Sequence, residues 1–296
     1  MFEGFEQGRV PVGDVEISIV TAGSGPPVLL LHGAPQTHVM WHAVAPGLSR
    51  DYTVVAADLR GYGDSSKPHG GGDHAAYSFR TSALDQVGLM TALGYERFAV
   101  VGHDRGARVS HRLALDHPER VTGVAILDVV PTDHMYRHVT RDLATAYWHW
   151  FTLTQPEPLP ERLIAGEAGW FLKYALGAFG SAGALFTPEA LAEYTRCFED
   201  PAMVHAMCED YRAAASIDLE HDAATRDRRI ECPLLVLWGA HGDVGRFFEP
   251  LAVWREYATN VQGGPVEAGH FLVEQQPEAT LQHLQAFLAT LDGGPV

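Results

Sequence analysis

Cysteine is nearly absent. Cys197, Cys208 and Cys232 are the three in 296 residues, too few and too scattered for a disulfide framework or a zinc site. Positive charge is scarce too: 21 Lys and Arg stand against 37 Asp and Glu, a formal net charge of −16. Such a chain repels nucleic acid and anionic lipid, which excludes both as partners, and any positive patch must be local. No run approaches the ~20 apolar residues of a membrane span. The start, Met1-Phe2-Glu3-Gly4-Phe5, lacks the basic and apolar regions of a signal peptide. These absences point to a soluble protein of a reducing compartment, expected in the cytoplasm. Internal repeats and low-complexity segments are missing as well. His69-Gly70-Gly71-Gly72 copies an oxyanion motif of lipases but follows no strand, and it reads as a flexible loop.

What is present suffices for a large core. Hydrophobic residues make up 46% of the chain, enough for one large domain plus an insertion. Val15 to Thr21 alternates apolar and polar residues, the pattern of an edge strand. Pro27–Leu31, Tyr52–Ala57, Arg97–Val101, Val121–Leu127 and Pro233–Trp238 are instead continuously apolar and read as buried parallel strands. A further strand is expected near Pro265-Val266-Glu267. Helical spacing falls between them, over Ser78 to Leu93 with Ser78 as cap, and over Ala107 to His117. A last helix starts at Pro277, carries Leu281, Leu284, Phe287, Leu288 and Leu291 on one stripe, and ends at Gly293. The fold class is therefore α/β, a mostly parallel sheet covered on both faces. From Asp133 to about Ser216 the pattern changes to aromatic-rich helical stretches separated by Gln155-Pro156-Glu157-Pro158, Gly166, Gly180 and Pro201. Residues 133–216 are read as a helical cap inserted into a core of 1–132 and 217–296.

Ligands in open parallel sheets bind outside the carboxyl ends of the strands. His32, Asp58, Asp104 and Asp128 all end strands and can converge there. The most informative stretch is Gly102-His103-Asp104-Arg105-Gly106, between a strand and a helix. It has the form of a nucleophile elbow, a kink tight enough to require small neighbours, with aspartate where serine is usual. A carboxylate gains little by attacking a carbonyl. At a saturated carbon it can displace a leaving group and form an alkyl ester, which water then hydrolyses. The elbow thus points to two-step hydrolysis of a carbon–halogen bond or an epoxide.

Ester hydrolysis requires a base. His270, in Glu267-Ala268-Gly269-His270, lies between the last strand and the last helix, where the order nucleophile, acid, histidine places it. Its orienting acid is Asp128, after the strand that follows the elbow helix, or Asp243, after the next strand; Asp128 is preferred. The backbone N–H groups of Ala34 and Arg105 would form the oxyanion hole. Arg105 and Arg108 lie on one helix face beside the nucleophile, a costly placement unless an anion uses them. They read as a bidentate clamp for the carboxylate of a small anionic substrate.

Gly102-His103-Asp104-Arg105-Gly106-Ala107-Arg108, His32-Gly33-Ala34-Pro35-Gln36-Thr37-His38, Tyr147-Trp148-His149-Trp150 and Cys208-Glu209-Asp210-Tyr211-Arg212-Ala213 together resemble the fluoroacetate (haloacetate) dehalogenases, over nearly the whole chain. The resemblance implies the α/β-hydrolase fold, with Asp104 as nucleophile, His270 as base and Asp128 as triad acid. It implies carboxylate binding by Arg105 and Arg108 and halide binding by His149, Trp150 and Tyr211. It also implies no metal or organic cofactor, and a homodimer. Ala34, where phenylalanine is frequent, and residues 241–250 depart from the pattern and bear on substrate size. Three rivals share parts of these motifs. An epoxide hydrolase typically has tryptophan where Arg105 stands and two cap tyrosines; a haloalkane dehalogenase takes neutral substrates; a non-catalytic receptor of the same fold would have lost a triad member.

Overall fold

A computed structural model describes residues 1–178 and 185–291. The described residues form one eight-stranded sheet: β1 (Glu6–Val12), β2 (Val15–Ala22), β3 (Pro27–Leu31), β4 (Thr53–Ala57), β5 (Phe98–His103), β6 (Val121–Leu127), β7 (Leu234–Gly239) and β8 (Val261–Val266). Their spatial order is β1-β2-β4-β3-β5-β6-β7-β8. The pairings β1–β2 and β2–β4 are antiparallel and all others parallel. The continuously apolar runs occupy the centre, where helices cover both faces, and Leu29, Leu30, Val100, Val101 and Ile126 have no exposed surface.

One expectation is corrected at the N-terminal edge. β2 is not an edge strand, because β1 pairs with it from Glu6↔Thr21 to Val12↔Val15. The seven residues of β1 are largely exposed and show no apolar alternation. Main-chain hydrogen bonding and a tight turn at Gly13-Asp14, with Gly13 at φ +57°, hold it instead. β8 is displaced in the same way: it starts at Val261, earlier than its single apolar pair suggests, and Gln262, Gly263 and Gly264 give it little apolar content.

Helices follow the sequence more closely. Phe79–Ala92 is capped by the Ser78 side chain, which accepts from the Thr81 N–H. The helix after β5 begins at Arg105, two residues earlier than its spacing suggests, and ends at Asp116. The last described helix runs Pro277–Leu291 and buries Leu284, Phe287 and Leu288. Between β6 and β7 the described residues carry no strand; helices run from Thr132–Arg137 to Ile217–Ala224. Gly180, read as a helix separator, and Gly293, read as a helix stop, lie outside the described residues. Among those described, no helix is long and apolar enough to cross a membrane.

Candidate active site

The turn after β5 forces two glycines. A Cβ at Gly102 would lie 2.4 Å from the Gly106 carbonyl oxygen, and one at Gly106 would lie 2.6 Å from that of His32. With both absent, strand and helix close until Asp104 sits between them at φ +46°, ψ −111°. A non-glycine residue there stores on the order of 1–3 kcal/mol of strain. That strain presents the carboxylate at the end of the central strand, 7% exposed. Its Oδ1 accepts from the Ala34 N–H at 3.0 Å. Arg105 opens the helix, so its own N–H has no intrahelical acceptor.

His270 and Asp128 meet beside it. The His270 Nδ1–H donates to Asp128 Oδ2 at 2.6 Å, and Asp128 Oδ1 accepts from the Gly239 N–H at 2.8 Å. Asp243 bonds Arg246 at 3.3 Å instead, so of the two candidate acids the fold brings Asp128 to the imidazole. Burial disfavours the charged imidazole, but the hydrogen bond and charge of Asp128, with Asp104 behind, raise its pKa above the usual value. Burial likewise opposes charge on Asp104, yet His270 and Arg105, then His103 and Arg108, hold the carboxyl down at about 2.

The two arginines are only partly available. Arg105 has no exposed surface and grips Asp210 through Nε at 2.8 Å and Nη2 at 2.5 Å. Tyr62 donates to the same carboxylate at 2.7 Å. Among the described residues the Arg105 Nη1 has no hydrogen-bond partner, and neither has the Arg108 Nε, whereas Arg108 Nη1 bonds the Val130 carbonyl and Thr132 Oγ1. Each guanidinium is thus fixed on one side, with N–H groups left over on another. The spacing of Arg105 and Arg108 gives no hint of Asp210, the neighbour of Tyr211, which reaches Arg105 across 105 residues.

The aromatic residues of the insertion roof this group. The Arg105 guanidinium lies 4.3 Å from the Tyr211 ring centre, and that of Arg108 lies 4.6 Å from Trp150. His149 and Trp150 each stand edge-on to Tyr211, with centroids 6.0 Å apart. Burial holds the His149 pKa down at about 3, so this imidazole is neutral near pH 7. A cavity of about 20 Å³ between Ala34, His149, Leu153, Phe171, Met207 and Tyr211 joins the oxyanion loop to the roof. A larger cavity, about 780 Å³, opens elsewhere, beside β1, β2 and the helix Pro188–Phe198, and neither Asp104, His270, Asp128 nor the two arginines line it.

Three further residues were not legible as site components. His103, buried and held neutral at about 3 by burial and by His270, bonds the His270 carbonyl at 2.8 Å and so fixes the backbone of that residue. Tyr136 packs its ring 5.4 Å from Trp150 and keeps a buried hydroxyl without a partner. Tyr147 is buried near Asp128 and Arg108. Conversely, His32 and Asp58 end strands but serve the scaffold. His32 accepts from the Leu59 N–H at 3.0 Å. Asp58 accepts from the N–H and Nδ1 of His38, both at 2.8 Å, and from the Asp64 N–H at 3.0 Å.

Comparison with known proteins bears on the fold and the family. The profile of the alpha/beta hydrolase fold matches residues 26–277. A fluoroacetate dehalogenase of Burkholderia sp. is 49% identical over 295 residues, 99% of this chain and 97% of its own. A soluble epoxide hydrolase of Corynebacterium sp. (strain C12) is 33% identical, covering 92% and 93%. A solved structure from Nostoc sp. PCC 7120, described as an alpha/beta hydrolase, superposes with a TM-score of 0.96 at 56% identity, covering 97% and 99%.

Proposed function

The chain belongs to the fluoroacetate dehalogenase branch of the α/β-hydrolase fold family, a hydrolase acting on carbon–halide bonds, and we propose that it converts a small 2-haloacid such as fluoroacetate or chloroacetate into the 2-hydroxyacid plus halide through an ester on Asp104. The observation that carries this reading is a carboxylate on the elbow, with one oxygen on the Ala34 N–H and two arginines alongside. Residues 133–216 act as the cap over a core of 1–132 and 217–296, and two copies assemble as a dimer.

The geometry supports the following steps. Asp104 is ionised at any working pH, and its Oδ1 is tied to Ala34, so Oδ2 is the attacking atom. The substrate carboxylate takes the spare N–H groups of Arg105 and Arg108, which offset its repulsion by Asp104. Oδ2 displaces the halide, which departs with the bonding electron pair toward His149, Trp150 and Tyr211. Hydrogen bonds aimed at that position act where charge develops. Oδ1 becomes the ester carbonyl oxygen, already seated on Ala34, with the Arg105 N–H as second donor.

Water then adds at the Asp104 carboxyl carbon. With Nδ1–H committed to Asp128, the His270 Nε2 is free of its proton and takes one from water. The tetrahedral adduct collapses and its alkoxide leaves with the proton returned by His270; the Asp104 carboxylic acid so formed, with a pKa held at about 2, releases the remaining water proton to solvent, which restores the carboxylate. The test is a single turnover with His270→Ala. A mass increase of one carboxymethyl group on Asp104, with one equivalent of halide released, is expected. Halide release by Asp104→Ala at a comparable rate would sink the reading. The buried hydroxyls of Tyr136, Tyr147 and Tyr211 are the features that favour an epoxide substrate instead. Turnover of an epoxide probe with no release of halide from haloacetates would establish that alternative.

A further inference from the structure

We propose that His69, His205 and Glu157 form a binding site for a zinc-type divalent cation that fastens the helical insertion to the core. His69 belongs to the core loop between β4 and the helix Phe79–Ala92. Glu157 precedes the helix Leu159–Ala165 and His205 lies in Pro201–Ala214, both in the insertion. One ligand atom from each residue lies within 4.8 Å of the others, and the two imidazole rings face each other at 4.7 Å.

The imidazoles are oriented as ligands. The Nδ1 of His69 lies 2.7 Å from the Gly70 carbonyl oxygen, and that of His205 lies 3.3 Å from the Glu161 carboxylate. Each acceptor requires a proton on Nδ1, which leaves the lone pair on Nε2, the outer-shell arrangement that fixes metal-binding histidines. The His205 Nε2 is buried without a hydrogen-bond partner among the described residues. Gly70 explains how the loop reaches this helix: a Cβ there would meet the Glu209 carboxylate at 2.0 Å. Gly70, the first glycine of the stretch that imitates an oxyanion motif, thus lets the loop lay His69 against His205.

Local charge favours a cation. Glu157 stands at the opening, and Glu161 lies behind His205. Arg212, the cation bonded to Glu161, is shared with Glu209. Two imidazoles and a carboxylate are a donor set suited to zinc, with the fourth position left to water. Zinc bonds of about 2.0–2.2 Å place tetrahedral ligand atoms about 3.3–3.5 Å apart. Because His69 and Glu157 are exposed, their side chains can close that difference. The scarcity of cysteine does not bear on a site made of histidine.

The test is calorimetric titration of metal-stripped full-length protein with zinc chloride, paired with thermal unfolding and with the visible absorption of the cobalt(II) form. One cation per chain is expected, with a rise in Tm. His69→Ala, His205→Ala and Glu157→Gln should each weaken binding by about tenfold or more and abolish the Tm rise, whereas His283→Ala, on the exposed side of the last helix, should behave as wild type. A metal-free Tm near wild type would show that His69→Ala is folded. Zinc binding unchanged in the His69→Ala/His205→Ala double variant would overturn the proposal, as would no binding by wild type at micromolar zinc. Binding that His270→Ala removes and His69→Ala keeps would place the metal at the active site, and would overturn it equally.

Discussion

At the residue scale, the decisive fact is how much of the charge beside Asp104 is already committed. Arg105 meets a carboxylate in the protein before any substrate arrives. Removing one member of a buried pair leaves the other uncompensated, at a cost of about 3–5 kcal/mol. Asp210→Ala should therefore lower unfolding free energy by that order in urea denaturation, while Asp243→Ala, whose contact with Arg246 is partly exposed, should change it by under about 0.5 kcal/mol. Equal effects would show that Asp210 has no special hold on Arg105.

Arg108 has no carboxylate of its own, so its charge is the one left for the substrate. Arg108→Leu should cost about 1.5–3 kcal/mol in kcat/KM, roughly tenfold or more, and wild type should prefer haloacetate to haloacetamide. Equal turnover of the two would mean the arginines do not select carboxylates. The leaving group sets the third residue-scale expectation. Fluoride is small, basic and strongly hydrated, and its departure depends on donated hydrogen bonds more than that of bromide. His149→Ala, Trp150→Phe and Tyr211→Phe should each depress fluoride release far more than bromide release. Parallel losses would assign these residues to holding the roof together.

At the element scale, the proposed mechanism assigns the elbow and the histidine loop to two separate steps, and pH should separate them. Asp104, held at about 2, stays ionised through mildly acidic solution, so alkylation proceeds there. His270, whose pKa is raised, must be neutral to act on the ester, and Asp128 still supports its proton once Asp104 is esterified. As pH falls through the folded-state value of His270, above 6.5, kcat should fall while kcat/KM, which ends at halide expulsion, stays level. A pH–rate profile in which both fall together would contradict the division of labour. Stability runs the other way. A histidine whose folded pKa is raised stabilises the fold fully below the unfolded value and loses that contribution as pH rises through the folded one. The pH range that activates the base is thus the range over which its ion pair with Asp128 stops contributing.

At the scale of the whole molecule, the proposed reaction asks an acidic protein to take up an anionic substrate. The net charge of −16 repels haloacetate at long range, and Arg105 is offset by Asp210, so the buried site projects little positive field. Added salt screens the repulsion, with a Debye length near ~10 Å at 0.1 M. kcat/KM for haloacetate should rise with ionic strength and that for haloacetamide should not. A fall for haloacetate would reveal a positive funnel that overrides the net charge.

The sequence by itself determined the sheet centre, the elbow, the late histidine and the helical character of the insertion, because each is a local property. A continuously apolar run has few ways to be buried, and Gly102 and Gly106 flanking Asp104 admit one tight turn. Aspartate in place of serine changes the chemistry whatever surrounds it. Tertiary structure alone decided what depends on residues distant in the chain. β1 shows little apolar pattern because only Val10 and Val12 pack on the core, and main-chain hydrogen bonds to β2 hold the rest of it. Asp128 and Asp243 are equivalent in position along the chain, and packing brings only one to His270, 142 residues away. Asp210 reaches Arg105 across 105 residues, and His32 and Asp58, alike in sequence to site residues, are consumed by nearby loops. Hydrogen bonds and ion pairs of this kind act over a few ångströms of space and leave no periodicity in the chain, so only the folded arrangement reveals them.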